Sequence, residues 1–309
     1  MNRRDFLKVA GTSLAAAALP GGWRKTRKLS RRTAEPVGWL ALLPEALPRS
    51  VSEVLQRVPR LEITEEGFLS LKDEHGMPRG YVPLTQTQWN LEKSTSFDRL
   101  LTEYPWGIVL HWYGETESFD RTVTGYLRGF NGLRHAKDVE TRTSAHFLVG
   151  GALPATQAEA SETEIGILQT QAPDKDGTPF VASHLRPLNY KLYRERKQYF
   201  VKALEALEYE NRAVHSILQD FYSGPKIDPS WRTIAIEITG YNFDNPETAP
   251  SAQQMANVLG LVWAVMKRYQ IAALDVLGHH EIELDKPDPG KLFMATLRYL
   301  LGVKALVEP

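Results

Sequence analysis

The chain has 309 residues, 42% hydrophobic and 24% charged, with 37 basic and 37 acidic side chains and a formal net charge of zero. That length buries a substantial core, while the even charge balance provides no field to draw nucleic acid, anionic lipid or an acidic partner. There is no cysteine, which excludes disulfides, thiol nucleophiles and Cys-ligated zinc, so any transition metal must be held by His, Asp or Glu.

The first residues read as an address. Asn2-Arg3-Arg4-Asp5-Phe6-Leu7-Lys8 precedes a mildly apolar run, Val9 to Leu19, closed by Pro20-Gly21-Gly22. The run is too short to span a bilayer, which takes about 20 residues. With paired arginines ahead of it, it resembles a twin-arginine export signal. Residues 1–32 are therefore expected to be signal plus basic leader. The mature chain, without a transmembrane helix, is expected to be periplasmic, wall-associated or extracellular. Residues 33–95 contain short apolar pieces, Val37 to Leu43 and Leu61 to Ile63, and no motif.

From Trp106 the texture changes. Gly107 to Tyr113 is a continuous apolar run with β-branched residues, the pattern of a buried strand. A helix is expected over 119–130 and strands over 143–150 and 164–170. Tyr190 to Tyr222, without Gly or Pro, predicts one long helix or two in series. Thr233 to Ile238 reads as a central strand. Pro250-Ser251 supplies a cap for a helix carrying Met255, Val258, Leu259, Val262, Met266 and Tyr269 at helical spacing. A last helix is expected over 292–301. Alternating strands and helices imply an α/β layer arrangement.

Three histidines lie on or beside apolar stretches: His111, His146 and His279. Any one alone is more simply a structural histidine. His111, however, ends a buried strand, His279 opens a Gly-led loop, and Asp288 follows in a turn stiffened by Pro289-Gly290. A catalytic zinc takes three protein ligands and keeps one position open. His111, His279 and Asp288 could supply that set without sulfur.

Four blocks in order, IVLHWYG, TSAHFLVG, IAIEITG and LGHHEIELDKPDPG, resemble the type-2 N-acetylmuramoyl-L-alanine amidases, a zinc amidase group that includes the peptidoglycan-recognition proteins. The resemblance spans roughly residues 100 to 303 and implies a central mixed β-sheet flanked by helices, in a domain over 96–309. It implies that His111, His279 and Asp288 bind zinc, that Glu237 activates the nucleophilic water, and that Lys286 stabilises the oxyanion. His146 would line the site without binding metal. His184 and Asn189 loosely match a stretch lining the peptide groove. Where some members carry a catalytic tyrosine this chain has Ala145, which leaves Glu237 as the base. The implied reaction is hydrolysis of the amide between N-acetylmuramic acid and L-alanine in peptidoglycan or muropeptides. A recognition module that only binds muropeptides is the alternative, though it has no need of all five of these residues together.

His280 competes with His279, but the resemblance places the ligand directly after Gly278. Glu281, Glu283 and Asp285 are expected to face solvent. Trp112 and Tyr113 either stack on substrate or pack in the core. The stretch over 190–222 departs from the family as a helical insertion, expected beside the substrate groove.

Overall fold

The computed structural model describes residues 47–72, 75, 78–81, 105–113, 145–150, 166–169, 174–175, 178–179, 182, 184–186, 188–195, 200–208, 211–223, 226–245, 248–283 and 285–307. The paired-arginine segment and leader, the piece Val37 to Leu43, the helix expected over 119–130 and the stretch 151–165, which like 190–222 is long for the family the chain resembles, lie outside these residues.

In chain order, helix α1 (Leu47–Arg57) is followed by β1 (Leu61–Ile63), β2 (Leu69–Lys72) and β3 (Pro78–Tyr81), a small antiparallel sheet. The main sheet is built from β4 (Gly107–Tyr113), β5 (Phe147–Val149), β6 (Ile167–Gln169), β7 (Thr233–Thr239) and β8 (Val276–Gly278). Its helices are α2 (Tyr190–Arg194), α3 (Phe200–Leu207), α4 (Arg212–Ser223), α5 (Ala252–Tyr269), α6 (His279–Ile282) and α7 (Lys291–Val307). The sheet order is β8-β4-β7-β5-β6. β7 runs parallel to β4 and β5, and β8 runs parallel to β4; β6 alone is antiparallel, to β5. This is the mixed α/β sheet the sequence implies.

Strand alternation sorts the two faces. Ile108, Leu110, Ile234, Ile236, Ile238 and Val276 share one core with Val258, Leu259 and Val262 of α5 and Phe293 and Leu297 of α7. Helix α5 begins at the expected cap, Ser251 Oγ accepting from the Gln254 amide at 3.2 Å. Val54, Ile63 and Leu69 join the same core, so the part of the N-terminal region that is described is packed into the main body rather than hung beside it. Its apolar positions bury against α5, and Gly260 of that helix has no room for a Cβ, which would come within 3.0 Å of Pro59.

The other face takes the alternate positions. Val109 and Leu277 meet Leu204 of α3 and Val214, Ile217, Leu218 and Phe221 of α4. Among the described residues the stretch over 190–222 carries three helices where one or two were expected, and it packs on a face of the sheet. Asn211 makes the last break: its Oδ1 accepts from the Val214 amide at 3.1 Å, starting α4 as a cap. Without a Gly or Pro, this break left little trace in the composition.

His111 is at an odd position of β4, on the face of Val109, and is paired in register with Glu237 of β7. His279 follows directly on β8. Three adjacent parallel strands therefore deliver their polar side chains at their carboxyl ends, where open α/β sheets place ligands.

Candidate metal centre

The imidazoles of His111 and His279 and the carboxylate of Asp288 converge. His111 Nδ1 lies 3.0 Å from His279 Nδ1, His279 Nδ1 lies 2.9 Å from Asp288 Oδ2, and His111 Nδ1 lies 3.4 Å from the same oxygen. All three residues are buried. Tetrahedral ligands ~2.0–2.1 Å from a zinc-sized ion stand about 3.3 Å apart, so this triangle has the size of one face of such a shell. Among the described residues, these three form a group able to hold a metal ion. The donor set is nitrogen and oxygen only, as a chain without cysteine requires.

The loop from Gly278 to Gly290 is held at several points. A Cβ on Gly278 would stand 2.7 Å from the His280 ring, so only glycine lets that ring fold back. His280 is not among the converging donors. It binds the Asp288 carbonyl twice, through its amide at 2.9 Å and through Nδ1 at 3.0 Å. Glu281 accepts from the Gly278 amide at 2.8 Å and from both terminal nitrogens of Arg298. At the far end, Asp244 accepts from the Lys291, Leu292 and Phe293 amides and so caps α7.

The expectation that Glu281, Glu283 and Asp285 all face solvent holds only for Asp285, which is exposed and paired with Arg186 at 2.8 Å. Glu281 is taken up by Arg298. Glu283 is 1% exposed and lies against His279. Burial of a carboxylate needs partners, and the partners come from Arg186, far upstream.

Glu237 is buried beside the triangle, and its Oε2 has no hydrogen-bond partner among the described residues. Lys286 is half-buried, with its amide bonded to the Glu283 carbonyl at 3.0 Å. His146 is fully buried in the ladder: its amide donates to the Ala235 carbonyl, and its Nδ1 accepts from the Ala235 amide, each at 3.0 Å. His184 commits both ring nitrogens to the protein, at Ala182 O and Thr233 Oγ1, and sets its ring edge 5.3 Å from the His111 ring. It buttresses a histidine of the triangle instead of presenting a polar atom to a groove. Asn189 uses Oδ1 to cap α2 at the Lys191 amide. Trp112 points to the face opposite His111 and packs edge-on to Phe243. Of the two readings open for it, core packing is the correct one, because neighbouring strand residues alternate sides.

Electrostatics follow from burial and crowding. Burial, and then the charge of His279, lower the His111 pKa to about 4. Burial also works against charge on His279, but its bonds to Asp288 and Glu283 outweigh that and raise it to about 9. Asp288, although burial opposes ionisation, is held well below the usual carboxylate range by its bonds to His111 and His279. Glu237 is pushed up to about 8 by burial and then by the charge of Asp288. Near neutral pH, without metal, His111 is thus neutral and Asp288 ionised, while His279 and Glu237 hold their protons.

A family model described as N-acetylmuramoyl-L-alanine amidase matches residues 102–291, a span containing His111, Glu237, His279, Lys286 and Asp288. Among solved structures, one described as "crystal structure of Se-Met AmpD derivative" is similar, with a TM-score of 0.41 and 17% sequence identity, covering 75% of this chain and 99% of that one. No curated protein matches.

Proposed function

The chain belongs to the N-acetylmuramoyl-L-alanine amidase family, and on that footing we propose that it hydrolyses the amide joining the lactyl group of N-acetylmuramic acid to L-alanine, in peptidoglycan or its fragments, with zinc held by His111, His279 and Asp288. The observation that supports this most directly is the convergence of Nδ1, Nδ1 and Oδ2 within 3.4 Å of one another beside Glu237, whose buried Oε2 has no hydrogen-bond partner among the described residues.

Zinc held by these three residues would supply Lewis acidity toward the amide carbonyl and would lower the pKa of water from 15.7 to about 7. The rest falls to the chain's own side chains. Glu237, basic for a carboxylate, accepts the water proton at Oε2 and returns it to the departing amine, a contribution of ~10²–10⁴-fold. Lys286 donates to the negative charge that develops on the carbonyl oxygen, where one donor is worth about 3–4 kcal/mol. His111 and His279 stay neutral as ligands, and Asp288 provides the anionic third. The paired-arginine segment supports export, which would bring the protein to its substrate. No helix among the described residues is long and apolar enough to cross a membrane.

The test is digestion of purified muropeptides with and without a chelator, with products weighed by mass spectrometry. Free stem peptide should appear, stop on chelation and return on adding zinc. Release that ignores the chelator would overturn the zinc assignment, and no release at all would favour a muropeptide-binding module.

A further inference from the structure

Glu283 is among the most deeply buried carboxylates described, at 1% exposure, in a loop where the neighbouring Asp285 is exposed. An ionised carboxylate is costly to bury unless it is paired and hydrogen-bonded. Its partners divide into two groups. On one side, Arg186 donates its amide to Oε1 at 2.7 Å and sets Nε 3.1 Å from Oε2. On the other, His279 Nε2 lies 3.3 Å from Oε1.

The two ring nitrogens of His279 have separate tasks. Nδ1 faces His111 and Asp288. Nε2 is buried, and the contact with Glu283, long for a hydrogen bond, is the only approach to it by a polar side chain among the described residues. The spacing is built into the chain: the Glu283 amide donates to the His279 carbonyl at 2.8 Å, closing the turn of α6 and placing the two side chains one above the other.

We propose that Glu283 is a positioning residue for the metal centre. It faces Nε2 of His279 as the acceptor for the Nε2–H, which keeps the ring proton on that nitrogen, leaves the Nδ1 lone pair directed at the ion and makes the ring a stronger donor. Arg186 holds the carboxylate in place, and His184, two residues before Arg186, sets its ring against His111. One short segment therefore steadies both histidines of the triangle. The inference rests on the metal reading of His111, His279 and Asp288. Carboxylates placed in this way behind a ligating histidine change metal affinity by ~10–100-fold.

The experiment is zinc competition against a chromophoric chelator, with the visible spectrum of the Co²⁺-substituted protein as a second readout. The parent chain is compared with Glu283→Gln, Glu283→Ala and, as a control, Asp285→Asn. The melting temperature of each protein stripped of metal reports folding, and Glu283→Gln, nearly isosteric, carries the test if Glu283→Ala does not fold. The expected result is about 10–100-fold weaker zinc binding and a changed Co²⁺ spectrum in the Glu283 variants, with Asp285→Asn like the parent. Folded Glu283 variants that match the parent in affinity and spectrum would overturn the positioning role and leave the metal reading intact. A parent chain that takes up no zinc would overturn the metal reading itself, and this inference with it.

Discussion

His111 and Glu237 are register partners on adjacent parallel strands, so their side chains leave the same face of the sheet side by side. One takes part in the converging triangle; the other keeps a carboxylate oxygen buried and unpartnered next to it. A buried unpaired acceptor is a standing cost to the fold, and an acceptor for a substrate proton gives it a use. Replacing Glu237 with Gln keeps shape and volume but removes the base. We expect Glu237→Gln to bind zinc in the parent's ratio, by elemental analysis, and to release stem peptide ~10²–10⁴-fold more slowly. An unchanged rate would remove Glu237 from the chemistry.

Zinc should also hold the fold together, because the three ligands proposed for it come from β4, the start of α6 and the loop before α7. A ligand that binds only the folded chain stabilises it by about 2.7 kcal/mol at a hundredfold excess over its Kd. Melting curves of stripped protein should therefore rise by several degrees on adding zinc. Asp288→Asn and His111→Ala should abolish that rise. A rise of parental size in either variant would place the ion elsewhere.

The His279 pKa sets a pH dependence with a defined sign. In protein stripped of metal it is raised from 6.5 to about 9, so its charge contributes stability that is complete below 6.5 and lost as pH climbs through 9. The same proton blocks Nδ1 or Nε2 and must leave when the ring binds metal. His111, lowered to about 4, is already neutral across this window. Zinc affinity should thus increase about tenfold per pH unit between 6.5 and 9, then level off, in competition titrations corrected for the chelator's own protonation. A flat profile would contradict the charge assigned to His279.

The triangle was legible in the sequence because chemistry narrows its candidates. Without sulfur only His and carboxylates can serve, and His111 ends a buried strand while His279 and Asp288 bracket a Gly-to-Gly loop. Glu283 was not legible. In a loop with Glu281 and Asp285 it looks solvated, and what buries it is Arg186, 97 residues earlier in the chain. The clue available was its spacing of four from His279. Trp112 could have been settled by strand parity alone, since it alternates with His111. The packing of α1 and the β1–β3 sheet was invisible for another reason: short apolar pieces around Val54, Ile63 and Leu69 acquire meaning only against α5.

Gly290 closes the same loop, and both its conformation and its surroundings require glycine. Its φ is +111°, a region that residues with a Cβ rarely enter. A Cβ there would also stand 2.4 Å from Asp244 Oδ1, the oxygen that accepts from the Leu292 and Phe293 amides. The clash cannot be relieved by a simple side-chain swing, because moving Asp244 releases the cap of α7 and relaxing the backbone shifts Asp288 two residues away. Gly290→Ala should therefore cost about 1–3 kcal/mol in backbone strain, with a further ~0.5–2 kcal/mol if the cap is lost, measured by urea unfolding of stripped protein. It should weaken zinc binding as well, since the carboxylate of Asp288 would be displaced from the two imidazoles. A variant with parental stability and parental zinc affinity would show that neither the turn nor the cap constrains the third ligand.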